Sequence, residues 1–258
     1  MSEPWPAPSP GAAPAAGRVA AQAGLELRTL LRNGEQLLLT LIIPVLLLAV
    51  FGSESLISVG RGSRIGFIAP GILALAVLST SFTSLAIGTA FERKYGVLKR
   101  LGATPLSRSG LVAAKAVTVL AVELGQAVVI VAVALPLGWR PAATPASIAC
   151  AVLVMVTGSI AFSGLAMVLA GTLRAEAALA AANLVYLVLL GVGGVLFPLA
   201  KFPAAIRPAL RLLPSGALCD GLRSVLRYGA GLPARDLAVL AAWAVAGIVV
   251  AARSFRWD

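Results

Sequence analysis

Arg64-Ile65-Gly66-Phe67-Ile68-Ala69-Pro70-Gly71-Ile72-Leu73-Ala74-Leu75-Ala76-Val77-Leu78-Ser79-Thr80-Ser81-Phe82-Thr83-Ser84-Leu85-Ala86-Ile87-Gly88-Thr89-Ala90-Phe91-Glu92 carries no charge between its two ends. About 20 apolar residues span the hydrocarbon core of a bilayer as a helix, so residues 65–91 read as a membrane span. Directly behind it comes Glu92-Arg93-Lys94-Tyr95-Gly96-Val97-Leu98-Lys99-Arg100-Leu101. Such dense charge sits in water. Basic residues in short loops set orientation, which assigns the loop at 91–108 to the cytosol.

The composition agrees with lipid as the solvent. The 258 residues are 59% hydrophobic and only 12% charged, whereas a soluble domain carries about 25% charge. There is no histidine, which removes the commonest general base and the commonest metal ligand. Two cysteines, Cys150 and Cys219, are too few for a zinc site or a disulfide framework. The net charge of +11 lies in short segments between apolar runs. That pattern suits anionic headgroups and topology rather than nucleic acid. Residues 1–17 are rich in Pro and Ala and lack the start and centre of a secretory signal, so they read as a disordered cytosolic tail.

Further apolar runs extend the pattern to an all-α polytopic protein with six spans. Residues 18–34 place Val19, Ala23, Leu27 and Leu30 on one side, as in a helix lying in the membrane interface or extending the first span. Asn33-Gly34 closes it. The first span runs from Gln36 to Ser53 around Pro44, and a polar loop covers Glu54 to Arg64. The third span runs from about Ser109 to Leu137, followed by the turn Gly138-Trp139-Arg140-Pro141. The fourth lies within Thr144 to Leu173, the fifth from about Ala177 to Leu196, and the sixth from about Asp236 to Ala252. Residues 197–235 are broken by Pro and Gly into two short amphipathic pieces, one on Ile206, Leu210 and Leu213, the other on Leu218, Leu222, Val225 and Leu226. Neither can cross a bilayer. Residues 253–258 form a short tail with Trp257 as an interfacial anchor.

Glu92-x-x-x-Gly96-x-x-x-x-Leu101-x-x-Thr104-Pro105-Leu106-Ser107-Arg108, followed by Lys115, resembles the cytoplasmic loop of type-2 ABC exporter permeases. These are the membrane subunits of drug, lipid and polysaccharide exporters, and the likeness reaches over residues 18–252. It implies a permease of the cell membrane with both termini cytoplasmic, paired with a second permease, identical or paralogous. It implies a separate ATPase subunit that holds ATP and Mg and docks on the 91–108 loop, here a coupling helix. It also implies that 197–235 is a re-entrant hairpin at the outer face. The efflux substrate would be amphipathic, drug-like or lipid-like, as the mostly apolar spans suggest.

The loop's own chemistry suits docking. Phe91, Tyr95 and Leu98 fall at i, i+4 and i+7, an apolar stripe on one short helix. Glu92 at its start and Lys99-Arg100 at its end match the helix dipole. Gly96 permits close approach of another backbone. Thr104-Pro105 reads as an N-cap and first helical residue of the third span. No Gly-x-x-x-x-Gly-Lys-Ser/Thr stretch occurs, so no phosphate-cradling loop of that type is present. The expectation is a chain with no catalytic residue, metal or bound cofactor of its own.

Glu123 in the third span is a functional candidate because a carboxylate in lipid is expensive. It either lines or gates a substrate path, or it is hydrogen-bonded between helices, with Gln126 or a neighbouring span. Ser159 with Ser163, and Ala166 with Ala170, are small residues four apart that allow close packing. Gly191, Gly193 and Gly194 loosen the end of the fifth span, which suits a gate and equally suits tight packing. Cys150 and Cys219 read as free thiols, with a bridge at the outer face left open. Two rival functions stand beside export. An ion-coupled secondary transporter would need more ionisable residues or inverted repeats than Glu123 and Lys115 supply. An intramembrane lipid-modifying enzyme would need acid–base groups that are scarce here.

Overall fold

The structure, a computed structural model, describes residues 13–32, 34, 38–53 and 63–254. Most of the expected 1–17 tail, the helix end at Asn33, the loop at 54–62 and the Trp257 anchor lie outside them. All regular structure among the described residues is helical. Helix α1 spans Ala15–Arg32, and α2 comprises a π-helical turn Leu38–Ile42 and the helix Ile43–Ser53. Next come α3 (Arg64–Lys94), α4 (Val97–Gly102), α5 (Arg108–Ala134), α6 (Pro145–Thr172) and α7 (Ala175–Val192). Two short helices, α8 (Arg207–Leu212) and α9 (Pro214–Leu226), precede α10 (Ala234–Ser254).

Five of these, α3, α5, α6, α7 and α10, are long and apolar enough to cross a membrane. The chain is a multi-pass membrane protein. The described part of the first expected span, Thr40–Gly52, is apolar but shorter. The helix starts follow local chemistry. Ser63 accepts from Gly66 N at 3.2 Å to open α3, and Thr144 accepts from Ser147 N at 3.1 Å with Pro145 at the first position of α6. Each satisfies an orphan donor of the first turn. The last helix continues through Arg253 and Ser254, so the expected tail is partly helical.

Helix α3 is the axis. Every residue from Ile65 to Phe82 is buried, and Phe82 meets Phe162 of α6 edge-on at 6.3 Å. Its centre opens into a π-helical stretch, Leu78–Ser84. Three of the hydroxyls there are satisfied: Ser79 donates to Ala76 O, Ser81 to Val77 O, and Thr80 to Gln126 Oε1 at 2.9 Å, whereas Thr83 Oγ1 is buried with no partner among the described residues. Local back-bonding of this kind loosens a helix. Helices α6 and α10 cross at Gly164 and Gly247. A Cβ built on either would lie 3.0 Å from the other's backbone, so any larger residue would push the two helices apart from this close approach.

Residues after α7 turn back into the protein. Gly193 packs so tightly that a Cβ would sit 2.2 Å from Leu189 O and 2.3 Å from Ser215 Oγ, while Gly194 has φ +75°. Gly193 and Gly194 thus lie just beyond α7 in a tightly packed chain reversal, and Gly191 lies in the last turn of α7. Helix α9 is buried on nearly all sides. It runs antiparallel to the first half of α6: Leu218 packs on Gly158, Gly221 on Val154, and Ala142 N donates to Leu226 O at 2.9 Å. Gly158 lies about 20 Å along α6 from Pro145 at 1.5 Å per residue.

Arg223 of α9 is a core side chain, only 5% exposed. Its Nη2 donates to Val195 O at 2.8 Å, its Nε to Phe67 O at 3.2 Å, and its guanidinium lies 3.6 Å from the Phe67 ring centroid. Burial pulls its pKa down, countered by nearby Asp220. Cys150 and Cys219 are both free thiols.

Candidate functional site

The 91–108 loop is built from two helices, not one. Helix α3 ends at Lys94, Tyr95 breaks away, and Gly96 adopts φ +69° before α4. A left-handed residue costs little only for glycine. Nothing approaches within 4 Å of a Cβ at Gly96, so the turn, and not a close backbone contact, requires it. The expected continuous stripe is thereby split. Phe91 and Tyr95 stack at 6.0 Å, whereas Leu98 is buried on α4.

The N-cap of α5 is Ser107, accepting from Gly110 N at 3.1 Å. Thr104-Pro105 was expected there and instead shapes the preceding turn: Thr104 Oγ1 donates to Leu101 O at 2.6 Å and accepts from Leu106 N. Glu92 also moves from the start of a helix to the end of one, where the dipole disfavours it. Lys115 of α5 offsets this, its Nζ lying 2.7 Å from Glu92 Oε2 and 3.5 Å from Glu26 Oε1. The same Glu26 oxygen accepts from Gln22 Nε2 at 2.9 Å. In the sequence Gln22 and Glu26 fall on the side of the helix away from Val19, Ala23, Leu27 and Leu30, and nothing there marks them as partners of Lys115.

Other loop residues fasten to neighbouring spans. Arg93 donates to Gly171 O at 2.6 Å and to Leu173 O at the end of α6. Lys94 pairs with Glu176 at the start of α7. Arg18 of α1 bonds Pro105 O. What projects outward is Tyr95, 62% exposed, together with Lys99 and Arg100.

A cavity of about 730 Å³ opens between α1, α2, α3 and α5. Glu26, Glu92, Lys115 and Tyr95 line it with Thr80 and Gln126 and a largely aliphatic wall. Gln126 closes its deep part, donating to Thr40 O at 2.6 Å. Glu123 is not among the lining residues. It is buried between α5 and α6 and accepts from Ser159 Oγ, the interhelical option of the two. Such bonds in membranes contribute about 0.6–2 kcal/mol. Glu123→Gln keeps an acceptor for Ser159 and is expected to shift stability in detergent by less than about 1 kcal/mol, read by thermal denaturation; a larger loss would mean the negative charge itself is needed.

No match was found among curated proteins. The family profile described as ABC-2 type transporter covers residues 23–226, a range that takes in the second half of α1, the charged loop and the buried α9. Five long apolar helices, a charged loop braced on three of them, and that match together decide the family: the chain belongs to the ABC-2 type transporters, as a membrane component that is not itself catalytic.

Proposed function

We propose that this chain is the permease subunit of an ATP-driven exporter, moving an amphipathic drug-like or lipid-like compound outward across the cell membrane. A separate ATPase, carrying ATP and Mg, docks on residues 91–108, and a second permease completes the pathway. The chain crosses the membrane six times with both termini in the cytosol, the first crossing including α2. The segment 197–235 dips in from the outer face, a reading that the antiparallel run of α9 along α6 supports.

One observation carries the docking role. The exposed Tyr95, Lys99 and Arg100 sit on a short projection whose root is tied to three spans at once: Glu92 to α5, Arg93 to α6 and Lys94 to α7. Motion imposed on that projection is shared among the spans, since paired and packed groups move together. ATP then shifts the balance of inward-open and outward-open forms to the extent that it binds one of them more tightly.

Affinity purification in mild detergent tests this. The wild-type chain is expected to bring down Mg-dependent ATPase activity. Tyr95→Ala combined with Arg100→Glu is expected to reduce the associated activity at least about tenfold, a loss of some 1.4 kcal/mol of binding, with membrane insertion unchanged. Undiminished activity with the double variant would remove the docking role.

A further inference from the structure

We propose that the cavity between α1, α2, α3 and α5 receives a single-tailed or drug-sized amphiphile with a cationic head, entering from the leaflet on the charged-loop side. Its use as an export intake rests on the function proposed above; the binding does not.

Size and shape come first. A volume of about 730 Å³ falls within the roughly 300–1,000 Å³ of small-molecule sites. The cavity follows α5 from Lys115 to Val129, about 21 Å at 1.5 Å per residue. Its walls are aliphatic, with Leu30, Leu85, Val119 and Val122 among them. The charged groups gather at one end, where α1 meets the charged loop, while Thr80, Gln126 and Thr40 at the other end are bonded to one another. A tail along the wall and a head among the charges matches this gradient.

Two glycines keep the space open. Gly88 of α3 and Gly125 of α5 both line the cavity, and a Cβ on either would meet nothing within 4 Å. Glycine inside a helix costs about 0.5–1 kcal/mol against alanine. Here no close packing on the described residues explains that cost, and room for a guest does.

Charge selects the head. Two carboxylates, Glu26 and Glu92, share one ammonium, Lys115, so the group carries a net −1. Neighbouring cations are turned to other partners: Arg93 to the α6 carbonyls, Lys94 to Glu176, and Arg18 to Pro105 O. The stacked Phe91 and Tyr95 also line the cavity; the Lys94 ammonium, paired with Glu176, already lies 5.7 Å from both ring centroids, so the selection of the head rests on the two carboxylates. An anionic head would meet repulsion, and a neutral one could donate hydrogen bonds to the carboxylates but would gain no attraction from the net charge.

The purified chain in lipid nanodiscs can be labelled with a photoreactive alkyl-trimethylammonium probe, alongside alkyl sulfonate and alkyl glucoside probes of the same chain length. The ammonium probe is expected to mark peptides of α3 and α5 around Leu85 and Val119–Val122, at least tenfold over the sulfonate. Gly88→Leu and Gly125→Leu fill the space without backbone conflict, so each is expected to fold and to lose this labelling. Glu26→Gln with Glu92→Gln is expected to bring the ammonium and glucoside probes to parity. Equal labelling by all three heads in the wild type, labels mapped elsewhere, or unchanged labelling in folded Gly125→Leu would each overturn the proposal. Retained labelling without ATP-driven transport would overturn the export reading and leave the site standing.

Discussion

Arg223→Ala is expected to destabilise the chain by about 2–4 kcal/mol, because an unmade buried hydrogen bond costs about 1–3 kcal/mol and a desolvated cation–π contact contributes about 2. Val195 lies in the non-helical stretch after α7, so its carbonyl has no helical donor and relies on the Arg223 guanidinium at 2.8 Å. Arg223→Lys keeps the charge but not the planar fork, and is expected to recover only part of the loss. Gly71 belongs to the same cluster: a Cβ there would lie 2.4 Å from Val195 O and 2.7 Å from Arg223 Nη2. Gly71→Ala is therefore expected to be strongly harmful in the wild type and less harmful beside Arg223→Ala, a non-additivity that a double-mutant cycle in mixed micelles measures. Simple addition of the two effects would mean that Arg223 acts elsewhere.

Gly164→Leu, or Gly247→Leu, is expected to cost more than about 3 kcal/mol, at or beyond the upper end of ordinary overpacking. The neighbours within 3.0–3.1 Å of each added Cβ are backbone atoms, which cannot rotate away as a side chain can. Helices α6 and α10 would have to separate along their length. Gly125→Leu is the matched control, since the same residue type is introduced into open space. Fluorescence-detected size exclusion of the solubilised variants should show aggregation for the first pair and a wild-type peak for the control. A wild-type profile for Gly164→Leu would show that the crossing is looser than its geometry indicates.

The sequence reveals the long helices for a reason special to lipid. Backbone groups there must be satisfied within the helix, so each crossing is one uncharged run. The expected 144–173 and 236–252 thus lie close to the observed Pro145–Thr172 and Ala234–Ser254. The same rule keeps short pieces such as Leu218–Leu226 from being read as spans. Contacts between helices leave weaker marks. The small residues Ser159, Ser163, Ala166 and Ala170 pointed to a close-packed face, and all but the half-buried Ser163 are buried, but nothing in the chain pairs Gly164 with Gly247. Arg223 resembles its exposed basic neighbours and is distinguished only by what surrounds it. In the charged loop, the residues of interest were visible while the break at Tyr95-Gly96 was not. One positive φ divided the stripe over residues 91–98, and Ser107, three residues after Thr104, took the cap.

From Ile65 to Phe82, α3 is sheathed entirely by other parts of its own chain. The stretch that most resembles a lipid-bathed rod is thus a protein interior, close-packed as in a water-soluble core. Apart from Thr80 at the edge of the cavity, acyl tails never wet it, and no neighbouring polypeptide can touch it without first displacing a helix. Trimming Ile72 or Leu75 there leaves a hollow that fluid lipid cannot refill, so bilayer thickness and composition should matter little to this column and much to the ring around it.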